Sequence, residues 1–263
     1  STLFVERYIQ NGRHVEVQIL GDGLGKVIHL GKRDCSSQRR FQKIIEEAPP
    51  PGLSSELRRK ILEAAVKLAE SVAYAGAGTV EFLVDKERDQ FYFLEVNSRI
   101  QVEHPVTEMI TGVDLIKEQF RIAFGDPLSI SQADVQTNGH AIECRITAEN
   151  PSDDFMPSPG RITRFIVPES DDIRVDTHCY EGCLITPYYD SLMAKVIARG
   201  VDRNSALENL KSALSLFSIS GVDTNLALLQ FLINQPQFVS GDVDIKWVDK
   251  ALPRFLDAEA ALV

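Results

Sequence analysis

Phe91-Tyr92-Phe93-Leu94-Glu95-Val96-Asn97-Ser98-Arg99-Ile100-Gln101-Val102-Glu103 is the stretch on which the reading of this chain turns. An apolar run leads straight into two acids, two carboxamides and a guanidinium. That is the pattern of a buried strand delivering charge to a cleft. Unlike charges at this density are costly to bury unless a metal, an anion or a reaction uses them. Upstream, Gly76-Ala77-Gly78 opens a strand, Thr79 to Val84, and Lys86-Glu87-Arg88-Asp89-Gln90 is a polar turn. With the turn centred near Arg88, an antiparallel register sets Glu81 opposite Glu95, Leu83 opposite Phe93 and Asp85 opposite Phe91. Side chains alternate faces along a strand, so Glu81, Leu83, Phe93, Glu95 and Asn97 share one. Opposed like charges repel unless a cation sits between them. Carboxylates with an amide oxygen suit Mg²⁺, which also engages nucleotide phosphates. Glu81, Glu95 and Asn97 are therefore the expected metal ligands, and a one-residue slip would undo that set.

The same patterns extend along the chain. Leu3 to Ile9 reads as a strand with nothing before it, and the expectation is that further sequence lies upstream. His14 to Leu20 and Lys26 to Leu30 form a hairpin about a glycine-rich turn. Ser54 caps a helix to Ala73, with Leu57, Ile61, Ala64, Ala65, Leu68 and Val72 on its apolar face. A second helix runs from Leu115 to Phe124. Residues 129–137 read as a linker. A second strand-rich unit follows, with strands over 140–146, 160–166 and 191–198 and helices over Ser205–Leu216 and Asn225–Ile233. The expected architecture is α/β or α+β, with units 1–128 and 139–250.

Composition narrows the function. The 263 residues are 44% apolar and 25% charged, with a net charge of −10. Such an acidic chain argues against a nucleic-acid surface, and no apolar run is long enough to span a bilayer. Local basic residues inside an acidic whole suggest a small anion in a pocket. Cys35, Cys144, Cys179 and Cys183 match no zinc spacing and read as reduced thiols of a cytoplasm-like compartment.

Individual residues leave alternatives open. Arg33, Arg39, Arg40 and Lys43 read most simply as a solvated basic face. Arg99 stands two residues after Asn97 and can grip an oxyanion with both arms of its guanidinium. Glu103 is either a general base or a structural acid at a helix start. His104-Pro105 reads as a turn. Arg145, mid-strand, either pairs internally with Glu143 or reaches the anion site. The segments 179–183 and 186–191 read as turns and strand entries without catalytic roles.

Taken together, several motifs resemble biotin carboxylase. They are Arg13-His14-Val15-Glu16-Val17-Gln18, the run from Arg33 to Arg40, Glu46-Glu47-Ala48-Pro49, Glu95 to Glu108, Gly139 to Ile146, Pro157-Ser158-Pro159-Gly160 and Tyr188-Tyr189-Asp190-Ser191. The resemblance runs from near residue 4 to near residue 250. It implies the C-terminal part of an ATP-grasp domain followed by a β-rich biotin carboxylase C-terminal domain. ATP would lie against Glu6, Ile9, His14, Gln38, Leu83 and Val222, with Mg²⁺, or Mn²⁺ in its place, held by Glu81, Glu95 and Asn97. Lys43, Arg99, Gln101 and the Val102 backbone would hold bicarbonate. Glu103 would take its proton, and Arg145 would steady the biotin enolate. The implied partners are a biotin carboxyl carrier protein, a carboxyltransferase such as that of acetyl-CoA carboxylase in fatty acid biosynthesis, and a second copy in a homodimer. Phe41 stands where the family often has His. The glycine-rich ATP loop is expected upstream of Ser1, and without it this chain alone is expected to turn over little. Two other readings are a non-catalytic, dimerising nucleotide-binding piece and an ATP-grasp ligase joining a carboxylate to an amine.

Overall fold

A computed structural model describes residues 3–261. Its frame is one eight-stranded sheet. The first part supplies β1 (Gly12–Asp22), β2 (Val27–Arg39), β3 (Gln42–Ala48), α1 (Ser55–Ser71), β4 (Ala75–Asp85), β5 (Gln90–Asn97), α2 (His104–Thr111) and α3 (Leu115–Ala123). The second part begins with β6 (His140–Thr147) and the short strands β7 (Glu149–Asn150), β8 (Met156–Pro157), β9 (Gly160–Arg161) and β10 (Arg164–Ile166). It continues through β11 (Ile173–Thr177), β12 (Leu184–Ile185), β13 (Leu192–Gly200), α4 (Arg203–Leu216), β14 (Ser218–Ser220), α5 (Leu226–Ile233), α6 (Pro236–Ser240) and α7 (Trp247–Ala260). The sheet order is β11-β13-β6-β3-β2-β1-β4-β5, and β3 pairs antiparallel with β6. The backbone hydrogen bonds of one sheet thus join the two sequence units.

The period of two along β1 assigns its faces. Val15, Val17 and Ile19 pack with Val80, Phe82 and Val84 of β4 under α1. His14, Glu16 and Gln18 therefore point to the opposite face, as does Glu81. Helix α1 is capped by the Ser54 hydroxyl, which accepts from the Leu57 amide. It buries Leu57, Ile61, Ala65 and Ala69, an i+4 ridge. Leu68 and Val72, expected on this face, are exposed although they lie within the same arc at 100° per residue; Val72 is the C-cap, past the last helical residue Ser71. The second core lies where α4, α5 and α7 cover β6 and β13, around Leu210, Leu228, Leu232, Phe238 and Trp247.

Several expectations are corrected. Leu3 to Ile9 forms no strand. Leu3, Phe4, Val5 and Tyr8 are exposed, and no described strand lends the segment an edge. His104-Pro105 is no mere turn. It opens α2, with Pro105 in the first turn where a missing N–H costs nothing. Gly112, at φ +71°, closes that helix in the left-handed conformation glycine tolerates. The β4–β5 register keeps Glu81 opposite Glu95 and then shifts, so Phe82 opposes Phe93, Leu83 opposes Tyr92 and Val84 opposes Phe91. Leu94 is the extra residue of a β-bulge. The bulge turns Phe93 to the α1 side, where it meets Phe82 edge-on at 6.4 Å.

Candidate active site

One cavity of about 1280 Å³ opens on the face of the sheet away from α1. Its floor is the polar face of β1, β4, β3 and β6, and its lining includes His14, Gln38, Lys43, Glu81, Leu83, Leu94, Glu95, Asn97, Arg99, Gln101, Val102, Glu103 and Arg145. Residues from β3, β5, the loop before α2 and β6 thus meet around one space, although Lys43 and Arg145 stand 102 positions apart.

Lys43 is the hub. Its Nζ lies 2.6 Å from Glu16, 3.1 Å from Glu81 and 2.5 Å from Glu103. Burial works against its charge, yet the acids around it hold the ammonium protonated far above the ordinary lysine range. Glu16 is fully buried and also takes Arg33 Nε at 2.5 Å. Burial pushes its carboxyl up, but Arg33 and Lys43 prevail and hold it down at about 2. Arg33 Nη2 also donates to the Gln101 amide oxygen, and Gln101 Nε2 donates to Glu81 Oε1 at 2.7 Å. The Gln101 amide is thereby locked at both ends. Glu81, despite burial, is held well below the usual carboxylate range by His14, Lys43 and Gln101. His14 Nε2 stands 2.7 Å from Glu81 Oε2, and Gln38 reaches the other ring nitrogen at 3.4 Å.

The expected metal ligands come together. Asn97 Nδ2 donates to Glu81 Oε1 at 3.0 Å and to Glu95 Oε1 at 3.3 Å. Glu95 is exposed, and among the described residues Asn97 is its one hydrogen-bond partner. Two carboxylates plus an amide whose oxygen is exchanged with its nitrogen by a flip form a hard-oxygen donor set that fits Mg²⁺. Arg99 Nη2 donates to Asn97 Oδ1 at 3.1 Å, which sets the exposed guanidinium beside that group.

Glu103 stands just before α2, its side chain turned to the cavity and not onto the helix amides, and is 2% exposed. One oxygen takes Lys43, and the other accepts from Arg145 Nη2 at 2.8 Å. Arg145 therefore does reach the site. Its acid partners are Glu103 and Glu46, the latter at 2.5 Å, and not the expected Glu143. Val102 lines the cavity while its carbonyl accepts from Lys195.

Three expected nucleotide-lining residues lie off the cavity wall. Glu6 is exposed on the segment before β1. Ile9 is buried beside Gly12 and Leu83. Val222 packs against the cluster of Ala148, Ile162, Cys179 and Met193. The basic run is no solvated face: Arg33 and Arg39 are buried, and of these arginines Arg40 alone is exposed. Arg39 and Arg40 both pair with Asp154, which pins the β2–β3 hairpin to the turn before β8. Sequence reasoning passed over Glu16, Glu46 and Lys195 as site residues. Glu16 was legible as the polar member between Val15 and Val17; Glu46 and Lys195 join only through sheet pairing. Tyr189, Asp190 and Ser191, for which the sequence suggested no role, form part of the far wall.

Residues 1–131 match the family described as carbamoyl-phosphate synthase L chain, ATP binding domain, and residues 143–250 match the biotin carboxylase C-terminal domain. Biotin carboxylase 1 of Bacillus subtilis is 52% identical over 94% of this chain and 55% of its own length. Biotin carboxylase of Pseudomonas aeruginosa is 49% identical over 95% of this chain and 55% of its own. The solved biotin carboxylase domain dimer of Hydrogenobacter thermophilus 2-oxoglutarate carboxylase, in complex with MgADP, ADP and bicarbonate, superposes with a TM-score of 0.92 at 48% identity, over 96% of this chain and 55% of that one. The chain spans about half the length of these relatives. With matches in both parts of the chain and near-half identity along almost all of it, the chain belongs to the biotin carboxylase family.

Proposed function

We propose that this chain forms the bicarbonate site and part of the nucleotide site of an ATP-dependent biotin carboxylase. The observation that carries this is the Lys43 hub: one ammonium among Glu16, Glu81 and Glu103, with Arg145 completing the ring. A site with two fixed cations and a carboxylate between them suits a small anion that must lose a proton. In this reading Lys43 and Arg99 grip bicarbonate, with Gln101 and the Val102 backbone closing its edge. Glu103 accepts the bicarbonate proton at a carboxylate oxygen, so that the anion can attack the terminal phosphorus of ATP; the bond from that phosphorus to the bridging oxygen breaks, ADP leaves and carboxyphosphate forms. Arg145 then faces the ureido oxygen of biotin as negative charge develops there. Glu81, Glu95 and Asn97 would hold Mg²⁺, which supplies charge neutralisation on the nucleotide phosphates. His14, Gln38 and Leu83 form the nucleotide wall.

The carrier of biotin, in this reading, is a biotin carboxyl carrier protein, and a carboxyltransferase consumes the product. Self-association into a homodimer follows the family pattern. Calorimetric titration with ADP and Mg²⁺, with and without bicarbonate, tests the reading. Mg²⁺-dependent ADP binding and bicarbonate binding that is lost in Arg99→Ala are expected. A chain that ignores ADP and bicarbonate alike, or that binds bicarbonate equally well after Arg99→Ala, would rule the reading out.

A further inference from the structure

Behind Arg145 lies a pair of acids that the carboxylation chemistry does not use. Glu46 on β3 and Glu143 on β6 are direct cross-strand partners, and both are fully buried. Opposed residues on antiparallel strands hold their Cβ atoms about 4.5–5.5 Å apart, which brings the two carboxyl groups within reach of each other. They lie under α2, on the face where Ala48, Ala141, Ile197, Val106 and Ile110 make an apolar wall. None of their four oxygens takes a hydrogen bond from a described residue, and neither does Arg145 Nε find an acceptor. Arg145 Nη2 approaches Glu46 Oε1 to 2.5 Å as an ion pair, while its aligned hydrogen bond goes to Glu103.

The charged groups around the pair are few. Arg145 shares β6 with Glu143, Lys195 stands on β13, Lys43 on β3 and Glu103 at the start of α2. Cys35 on β2 is a buried neutral thiol, its titration pushed up by burial. His104 of α2 is turned to Gln101 and Glu108. Lys43 is already held by three other acids, and Lys195 bonds the Val102 carbonyl and Asp176. Arg145 is the one cation paired with Glu46, and Glu103 draws on it as well; Glu143 feels Lys195 and Arg145 only through space, with a hydrogen bond from neither. Two buried carboxylates at this distance do not both ionise. Burial and mutual repulsion raise both, Glu143 the further because Arg145 sits against Glu46.

We infer that Glu143 is kept as a neutral acid that donates its proton to ionised Glu46, and that Glu46, so anchored, fixes Arg145 from behind as a positioning residue. The proton stays on a Glu143 oxygen, and the Glu46 carboxylate gains the donor it lacks. The charge under α2 is then one anion against one guanidinium. At higher pH the pair loses its shared proton, a second negative charge appears behind Arg145, and the guanidinium is drawn from the cavity. The shared proton stands on the sheet geometry alone; the effect on anion binding rests on the proposed bicarbonate site.

Infrared spectroscopy of the chain in H₂O and D₂O tests this directly. At neutral pH a carbonyl stretch of a buried protonated carboxyl is expected, absent in Glu143→Gln, whose amide still donates to Glu46, and shifted in frequency in Glu46→Gln. Absence of the band in the unaltered protein, or its survival in Glu143→Gln, overturns the assignment. Nitrate, a trigonal anion with no titration of its own in this range, supplies the second readout. Its affinity is expected to fall roughly tenfold as the band titrates away, and to lose that pH dependence in Glu143→Gln. A band that titrates while nitrate affinity stays level with pH would overturn the positioning role. A chain that binds no anion at any pH but shows the band would instead refute the bicarbonate site. Glu46→Gln and Glu143→Gln are isosteric, and circular dichroism establishes that each variant is folded before either readout is taken.

Discussion

Arg145 Nη2 donates to Glu103 Oε2 across 2.8 Å, from mid-strand β6 to the residue just before α2. The contact joins the two sequence units at the cavity floor. Each side chain is awkward alone: a strand arginine amid apolar neighbours, and a carboxylate 2% exposed. Together with Lys43 they form a chain of alternating charge in which every member is paired. Such a network is high-stakes, because removing one member strands the others.

Lys43→Met is expected to be the most damaging single change at the site. It leaves Glu16, Glu81 and Glu103 facing one another without their common cation. Breaking a buried pair costs about 3–5 kcal/mol. Urea unfolding at neutral pH checks this, and a loss below about 1 kcal/mol would show that the acids find other partners.

Glu16 contributes a pH-dependent share of stability. Its carboxyl is held down at about 2 in the folded state against an ordinary 4.5. A depressed acid stabilises the fold above its unfolded pKa, and that contribution is lost as pH falls from 4.5 through 2. The shift corresponds to about 3 kcal/mol. Unfolding curves taken across this window should slope downward with falling pH in the unaltered protein and flatten in Glu16→Gln. Equal slopes would show that Glu16 is not the titrating group.

Glu95→Gln separates metal binding from folding. Glu95 is exposed and bonded to Asn97, so its loss should shift stability by less than about 0.5 kcal/mol. Affinity for ADP in the presence of Mg²⁺ should fall by about tenfold or more, with metal-free ADP binding unchanged. Calorimetry with and without Mg²⁺ decides it, and equal losses in both conditions would remove Glu95 from the metal set.

Phe41 carries strain at the mouth of the cavity. Arg40 and Phe41 form the two-residue β2–β3 turn at φ +48° and +66°, where both residues take left-handed conformations. That turn favours Asn-Gly, and a bulky residue there costs roughly 1–2 kcal/mol. The Phe41 ring is 90% exposed, so it recovers little by packing. Phe41→Gly should raise stability by about 1 kcal/mol while weakening any ligand that rests on the ring. A destabilised Phe41→Gly would mean the ring packs against something that the exposed turn does not reveal.

Local pattern determined the pieces whose physics is local. The alternation over 79–84 and 90–96 gave the β4–β5 hairpin and put Glu81 opposite Glu95. Ser54 announced a helix start, and its side chain does accept the Leu57 amide; the helix read from Leu115 begins there, and Asp114 turns out to cap it by accepting from the Lys117 amide. The motif from Glu95 to Glu108 was specific enough to point to the family. Tertiary structure decided what depends on contacts distant in sequence. Period-two reasoning has no place for an extra residue, so the bulge that moves Phe93 to the α1 side and leaves Leu94 at the cavity was invisible until the strands paired. A run of bases looks the same whether solvated or buried; partners 15 to 115 positions away made Arg33 and Arg39 interior residues. Glu143, expected beside Arg145, lost that arginine to Glu46 and Glu103, because β3 and α2 close over β6. Charge pairing in a buried sheet is set by which strands are neighbours, and strand order is a property of the folded chain.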